Sequence, residues 1–350
     1  MFGMGKGKGL VGLDIGSSAV KVVELKKRGD AFELMNFGLE LLGPDTVVDG
    51  AIMDALTVSE AIERIFAGNK IKTRNVATSV SGHSVIVKRI TVSAASSEEL
   101  NEAMPYEAQQ HIPFDIADVN LSYQPLGPSP SGQGTDVMLV AAKREKILNH
   151  TNVLGQANKT PCVVDYDGFA TFNAFEANYD VPEDTIVAIL NIGASITNIV
   201  VGRRGTPLFT RDVSVGGNQY TDTLQKELDL SYEDAEKLKQ GQAVGSITRE
   251  QMVPHLHSVS EILMLEVQKT FDFFRQTTSA ENTQQIYLAG GSARIEGLVE
   301  QLKEEFRVPV EILDPFQRVK VDSEKFDSAY LQEIAPSLCV ATGLALRSFD

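Results

Sequence analysis

The sequence holds no tryptophan, two cysteines and five histidines in 350 residues, and each shortage excludes something. Two cysteines cannot build a disulfide framework. Cys162 in "PCVV" and Cys339 in "SLCVA" sit among apolar neighbours, which predicts buried, reduced thiols. The histidines show no metal-ligand spacing. His255 and His257 point to opposite sides of a helix, and no Ser-His-Asp set can be argued. Positive charge is also short. Lys and Arg number 32 against 47 Asp and Glu, and the formal charge of -15 argues against general binding to a nucleic-acid backbone. No apolar run approaches the length of a membrane span. The opening "MFGMGKGKG" has lysines but no apolar stretch behind them, so it does not read as a signal peptide. Membrane association is therefore expected only through a partner.

Hydrophobic residues make up 43%, enough for substantial cores, and the chain is longer than one core usually holds. Two or more lobes are expected. A repeat supports this. "LDIGSSAVKVV" at 13–23 aligns with "LNIGASITNIV" at 190–200, so Asp14 meets Asn191, Gly16 meets Gly193, Ser17 meets Ala194 and Ser18 meets Ser195. Each copy continues through a charged or glycine-bearing turn into a third strand, which predicts two three-stranded meanders. A glycine-hydroxyl turn between strands turns several N–H groups outward and forms an anion cradle. Either copy alone reads as an ordinary hairpin turn. Together they point to a polyphosphate gripped from two sides.

Elsewhere the pattern predicts a helix over 57–67 capped by Thr57 and Glu60. From about 75 a small α+β insertion follows: strand "VIVKRITV", a helix opened by Ser96 and Glu99, then strands "DVNLSYQPL" and "DVMLVAAKR" around a mobile loop "GPSPSGQG". "PCVVDYDGFATFNAF" is a strand running into a helix, with Asp165 and Asp167 at the junction. Gly216 and Gly217 precede a helix. "SYEDAEKLKQG" is a helix capped by Ser231 and stopped by Gly241, a long helix covers 249–278, and "SLCVATGLALRS" is a closing helix of small residues.

Single motifs carry two readings each. Asp14 caps a turn or holds the waters around Mg²⁺. Lys21 is a solvated strand residue or a point charge for a phosphate. Glu236 and Lys239, three apart on one helical face, form a solvated ion pair or recognise a ribose. Gly290 and Gly291 serve a tight strand-helix turn or admit something flat.

In sum these segments resemble the actin-like ATPase superfamily. Residues 12–21 and 190–197 look like its two phosphate loops, 286–298 like its adenosine motif, and 162–175 and 337–347 like its connecting helices. The insertion at 78–160 is similar to that of the cell-division protein FtsA. "LVGLDIGSSAVKVVELK", "YEAQQHIPFDIADVNLSYQ" and "APSLCVATGLALR" resemble the PilM family of type IV pilus assembly. The resemblance implies an α/β class, with a duplicated, ribonuclease-H-like two-lobe fold. The first lobe core is 9–77 with 161–183 and 336–350. The insertion is 78–160, the second lobe core 184–215 with 279–335, and its helical subdomain 216–278.

The resemblance further implies ATP and Mg²⁺ in an interlobe cleft. Asp14 would face the metal through water. Gly16, Ser17, Ser18 and Lys21 would face the phosphates from one side, and Gly193, Ala194 and Ser195, backed by Gly216 and Gly217, from the other. Glu236 and Lys239 would face the ribose, and Gly290, Gly291 and Arg294 the adenine. The second loop departs from the pattern of vigorous ATPases by carrying Asn191 where they carry aspartate. Slow or negligible hydrolysis is expected, with Asp165 and Asp167 the remaining candidates to position a water.

The partner implied is the cytoplasmic N-terminal tail of a PilN-like inner-membrane protein, with room for other platform and motor proteins and for weak self-association. Met104, Tyr106, Glu107, Ile112 and Phe114 are the expected wall of its groove. The location implied is the cytoplasm, at the inner membrane through that partner. A small-molecule kinase and an FtsA-like division protein are the competing readings.

Overall fold

The computed structural model describes residues 9–94, 96–129, 132, 134–278 and 282–349. The lysine-bearing opening up to residue 8, and residues 130, 131 and 133 of the "GPSPSGQG" loop, lie outside the described residues.

The chain opens with the meander β1 (Val11–Ile15), β2 (Ala19–Arg28) and β3 (Ala31–Leu41). A small hairpin, β4 (Val47–Val48) and β5 (Ala51–Ile52), leads into α1 (Ala55–Gly68) and β6 (Asn75–Val80). Next come β7 (Val85–Val92), α2 (Ser97–His111), β8 (Val119–Pro128), β9 (Thr135–Lys143) and α3 (Arg144–Gln156). β10 (Thr160–Tyr166) runs directly into α4 (Asp167–Asn178). The second meander is β11 (Val187–Ile192), β12 (Thr197–Arg203) and β13 (Thr206–Val213), followed by α5 (Gly217–Leu228), α6 (Tyr232–Lys239) and α7 (Arg249–Thr278). The remainder is β14 (Gln285–Ala289), α8 (Leu298–Phe306), β15 (Val310–Ile312), β16 (Val319–Lys320), α9 (Ser328–Ile334) and α10 (Cys339–Leu346).

The two large sheets share one design. The first has the order β10-β6-β1-β2-β3-β16 and the second β13-β12-β11-β14-β15. In each, an antiparallel meander begins at a central strand, and that strand's other edge takes a parallel neighbour: β6 beside β1, and β14 beside β11. The repeat seen in the sequence is a repeat of the fold, which is a two-lobe actin-like architecture. The third sheet, β7-β9-β8, packs α2 over its own core of Ile90, Leu100, Met104, Val137 and Leu139.

Helices α4 and α10 lie between the large sheets. α10 touches β1 on one side and α4 on the other, and both contacts are backbone against backbone. A Cβ at Gly12 would fall 1.9 Å from the Ala341 carbonyl oxygen, and one at Gly343 would fall 1.7 Å from that of Ala170. Only glycine permits either approach. On the far face of the first sheet, α1 and α3 bury Ile62, Ile65, Val153 and Leu154 against Val11, Leu13 and Val22.

Five expectations need correction. α1 begins two residues before Thr57, because Asp54 is its cap, accepting from the Thr57 amide at 3.0 Å and its hydroxyl at 2.7 Å. Cys162 is exposed while Cys339 is buried. β10 is an edge strand, and its register slips between Pro161 and Val163, which turns Cys162 out of the sheet. Helix α3 was not expected at all. Finally, Ser328–Leu346 is long and apolar enough to cross a membrane by length and composition. Here it is broken into α9, a 3₁₀ turn and α10, and 67% of its apolar window is buried, so the run is core of the first lobe. β16 and α9, expected with 279–335 in the second lobe, pack on the first sheet through Val319 and Leu331.

Candidate functional site

The C-terminal ends of β1 and β11 open into one cleft of about 520 Å³, lined by both lobes. Its chemistry follows from how the two hairpins turn. In each, the first glycine amide closes the turn: Gly16 N–H donates to Ala19 O at 3.0 Å, and Gly193 N–H to Ile196 O at 3.0 Å. The amides of Ser17, Ser18, Ala194 and Ser195 take no protein partner among the described residues. Four N–H groups facing a cleft from two sides form a site for an anion with several oxygens.

The residues beside the two turns differ in charge. Asp14 and Lys21 are paired across β1 and β2, with Lys21 Nζ 3.0 Å from Asp14 Oδ2. The equivalent pair across β11 and β12 is Asn191 and Asn198, with Asn191 Nδ2 donating to Asn198 Oδ1 at 2.8 Å. Asp167, at the head of α4, also lines the cleft. Burial, and then the negative charge of Asp14, push its carboxyl up to about 6. Asp165, the other junction acid, does not line the cleft. It faces away to Arg347, 2.6 Å distant.

At the other end of the cleft, Lys239 Nζ reaches Glu236 at 2.5 Å, Thr221 Oγ1 at 2.9 Å and the Gly217 carbonyl at 3.3 Å. The Glu236–Lys239 pair is therefore fixed to α5 and is not a loose surface pair. Gly290 has φ +89, and a Cβ there would fall 2.3 Å from Ile192 O. Gly291 has nothing within 4 Å of its Cβ direction and leaves that wall open. Arg294 lines the same end and donates to the Gln332 carbonyl of α9 at 2.7 Å, which ties the second lobe to α9. Gly216 and Gly217 stand behind the wall. The Gly217 and Asn218 amides donate to the Gly193 and Ala194 carbonyls at 2.9 and 2.8 Å, so the start of α5 holds the second turn in place.

The residues expected around a nucleotide thus converge, apart from this supporting glycine pair and Asp165. Sequence reasoning missed Asn218, whose amide donates to Ser195 Oγ at 3.3 Å, and Tyr330 and Glu333, which α9 brings to the cleft. Asn218 could have been read from its place after two glycines. Nothing in the α9 sequence signals a ligand. Of the expected groove wall, Met104 and Ile112 belong to the core of the insertion, 1% and 6% exposed. Tyr106 is exposed, and Phe114 carries the Lys143 ammonium over its ring.

The family described as type IV pilus assembly protein PilM matches residues 12–349. The chain belongs to the PilM family. Among solved structures, one titled "PilM-PilN type IV pilus biogenesis complex" is 29% identical with a TM-score of 0.87, covering 97% of this chain and 98% of that one. The ethanolamine utilization protein EutJ from Carboxydothermus hydrogenoformans is 17% identical with a TM-score of 0.58, covering 96% and 89%. MreB5 of Spiroplasma citri, bound to ADP, is 14% identical with a TM-score of 0.52, covering 95% and 94%. These last two show the shared fold alone.

Proposed function

We propose that the chain is the ATP-binding, actin-like component of a type IV pilus inner-membrane platform, and that it docks the cytoplasmic N-terminal tail of a PilN-like membrane protein. The likeness to the PilM of the PilM–PilN complex, over nearly the whole of both chains, is the observation that carries this reading. A recruited role at the cytoplasmic face of the inner membrane follows from the same partner. The cleft supports the nucleotide half, since four unpartnered amides and Lys21 suit a polyphosphate.

The residues also fit Mg²⁺. Asp14 and Asp167 are two carboxylates at one floor, a donor set that suits the waters of a hydrated divalent cation. Bound there, the metal would neutralise phosphate charge. Lys21 would then be shared between Asp14 and a phosphate, Glu236 and Lys239 would meet the ribose, and Gly290, Gly291 and Arg294 the base. Asn191 offers a neutral amide where a carboxylate could take a proton, so the protein acts as a nucleotide-gripping scaffold with slow turnover at most.

For the partner, we place the tail in a groove between the first lobe and the insertion assigned to 78–160. Tyr106, Glu107 and Phe114 are the wall residues that burial leaves available. An extended tail held by main-chain bonds and side-chain pockets would bind with modest affinity, because docking orders it. The test is calorimetry of a synthetic PilN-like N-terminal peptide, with and without Mg-ATP. Heat in either condition is expected. No heat in both, from folded protein, removes the partner reading.

A further inference from the structure

The two lobes carry equivalent rows of side chains across their meanders, and the acid sits at opposite ends. In the first lobe the row runs Asp14 on β1, Lys21 on β2, Leu39 on β3. In the second it runs Asn191 on β11, Asn198 on β12, Asp212 on β13. The acid missing beside the second phosphate turn is present two strands away.

The second row is bonded end to end. Asn198 Nδ2 donates to Asp212 Oδ1 at 2.9 Å, and Asn191 Nδ2 donates to Asn198 Oδ1 at 2.8 Å. Asp212 also accepts across the lobe boundary, from the Gly82 amide at 2.6 Å and the Tyr166 hydroxyl at 2.5 Å. Burial, and then the Asp212 charge, hold the Tyr166 phenol protonated, so it donates. An amide side chain can present either its oxygen or its nitrogen, whereas a carboxylate only accepts. Asp212 therefore fixes the direction of the whole row. It draws the nitrogen of Asn198, which leaves the Asn198 oxygen to draw the nitrogen of Asn191. The Asn191 oxygen is left without a protein partner among the described residues, on a side chain that lines the cleft.

We propose that Asp212 is a positioning residue that sets the polarity of Asn198 and Asn191, so that Asn191 offers an oxygen to a hydrated divalent cation bound with nucleotide. The inference rests on the nucleotide reading above. It makes Asn191 a neutral stand-in for the usual carboxylate in binding, though not in proton transfer.

The experiment compares affinity for a fluorescent ATP analogue in Mg²⁺ and in EDTA. Asp212→Asn, an isosteric change, lets the row run either way. It is expected to cut the Mg²⁺-dependent gain in affinity about three- to tenfold, with affinity in EDTA held within about twofold. The double substitution Asn198→Asp, Asp212→Asn moves the acceptor-only group one strand nearer the turn and keeps the direction, so the gain should return. An undiminished gain in Asp212→Asn, an equal loss in both conditions, or no rescue by the double substitution overturns the proposal. Nitrogen-15 NMR of the Asn191 side-chain amide reads the same row without ligand. Its resonances should shift in Asp212→Asn and return in the double substitution, and unmoved resonances would also overturn it. Nucleotide binding absent from the unmodified protein would sink the nucleotide reading instead.

Discussion

Asp14 and Lys21 face each other across the first hairpin, 3.0 Å apart in the lining of the cleft. Each neutralises the other while the anion site beside them is formed by neutral amides. Lys21→Ala and Asp14→Ala are each expected to weaken ATP binding by about 2–3 kcal/mol, roughly thirty- to a hundredfold. Titration of a fluorescent ATP measures it. Unchanged affinity in both variants would reject the cleft as the nucleotide site.

Hydrolysis should be slow, because Asn191 is an amide and its nitrogen is committed to Asn198. Asn191→Asp is expected to raise phosphate release, or to leave it flat if no other group takes the proton. Phosphate-release assays of both forms check this. Turnover of the unmodified protein near ordinary enzyme rates, about 10 per second, would contradict the scaffold reading.

Gly343→Ala is expected to destabilise the protein by about 3 kcal/mol or more, at the upper end of overpacking costs. Its Cβ would fall 1.7 Å from the Ala170 carbonyl, and backbone on both sides cannot step aside as a side chain does. Gly68→Ala, with nothing within 4 Å of its Cβ and a place at the end of α1, should instead gain about 0.5 kcal/mol. Denaturant melts of the two should move in opposite directions.

The raised carboxyl of Asp167 makes stability depend on pH with a definite sign. Its folded value is about 6 against an ordinary 3.8, so between these the folded state binds the proton more tightly than the unfolded chain. That contribution is complete below pH 4 and lost as pH rises through 6, up to about 3 kcal/mol for such a shift. Asp167→Asn should flatten this part of the stability curve and raise stability at pH 7 in the absence of ligand. A mutant whose curve from pH 4 to 7 overlays that of the unmodified protein would refute the assignment.

The legible parts of this fold are those where apolar periodicity and turn chemistry agree. The two meanders, the Ser96 and Ser231 caps and the span of α7 follow from the pattern. Helix α3 does not. Its inward positions Lys146, His150, Val153 and Leu154 have helical spacing, but two of the four are polar, so no apolar stripe appears. Lys146 is buried because its ammonium finds the Gly50 carbonyl at 2.5 Å, a partner nearly a hundred residues away that no local window contains. The cleft divides the same way. Its turns are visible as a repeat, while Asp212 and Tyr330 reach their places only through strand pairing and the path of α9. The expected groove wall failed at Met104 and Ile112 because an apolar residue on an amphipathic helix serves its own core first.

The arrangement of α10 bears on the order in which the chain acquires structure. The second sheet is built from residues 187–312 in one uninterrupted stretch, so its strands can pair as soon as that stretch has been synthesised. The first sheet cannot be finished early. Its opening strand packs Gly12 against Ala341, and the Leu10 amide donates to Ser348 at 2.9 Å, contacts that span most of the chain. Closing them carries the loop entropy of more than three hundred residues. Until α10 emerges, α1 and α3 can cover Val11 and Leu13 on one face of β1, but its Gly12 face has no helix against it, so the first sheet is the one completed last.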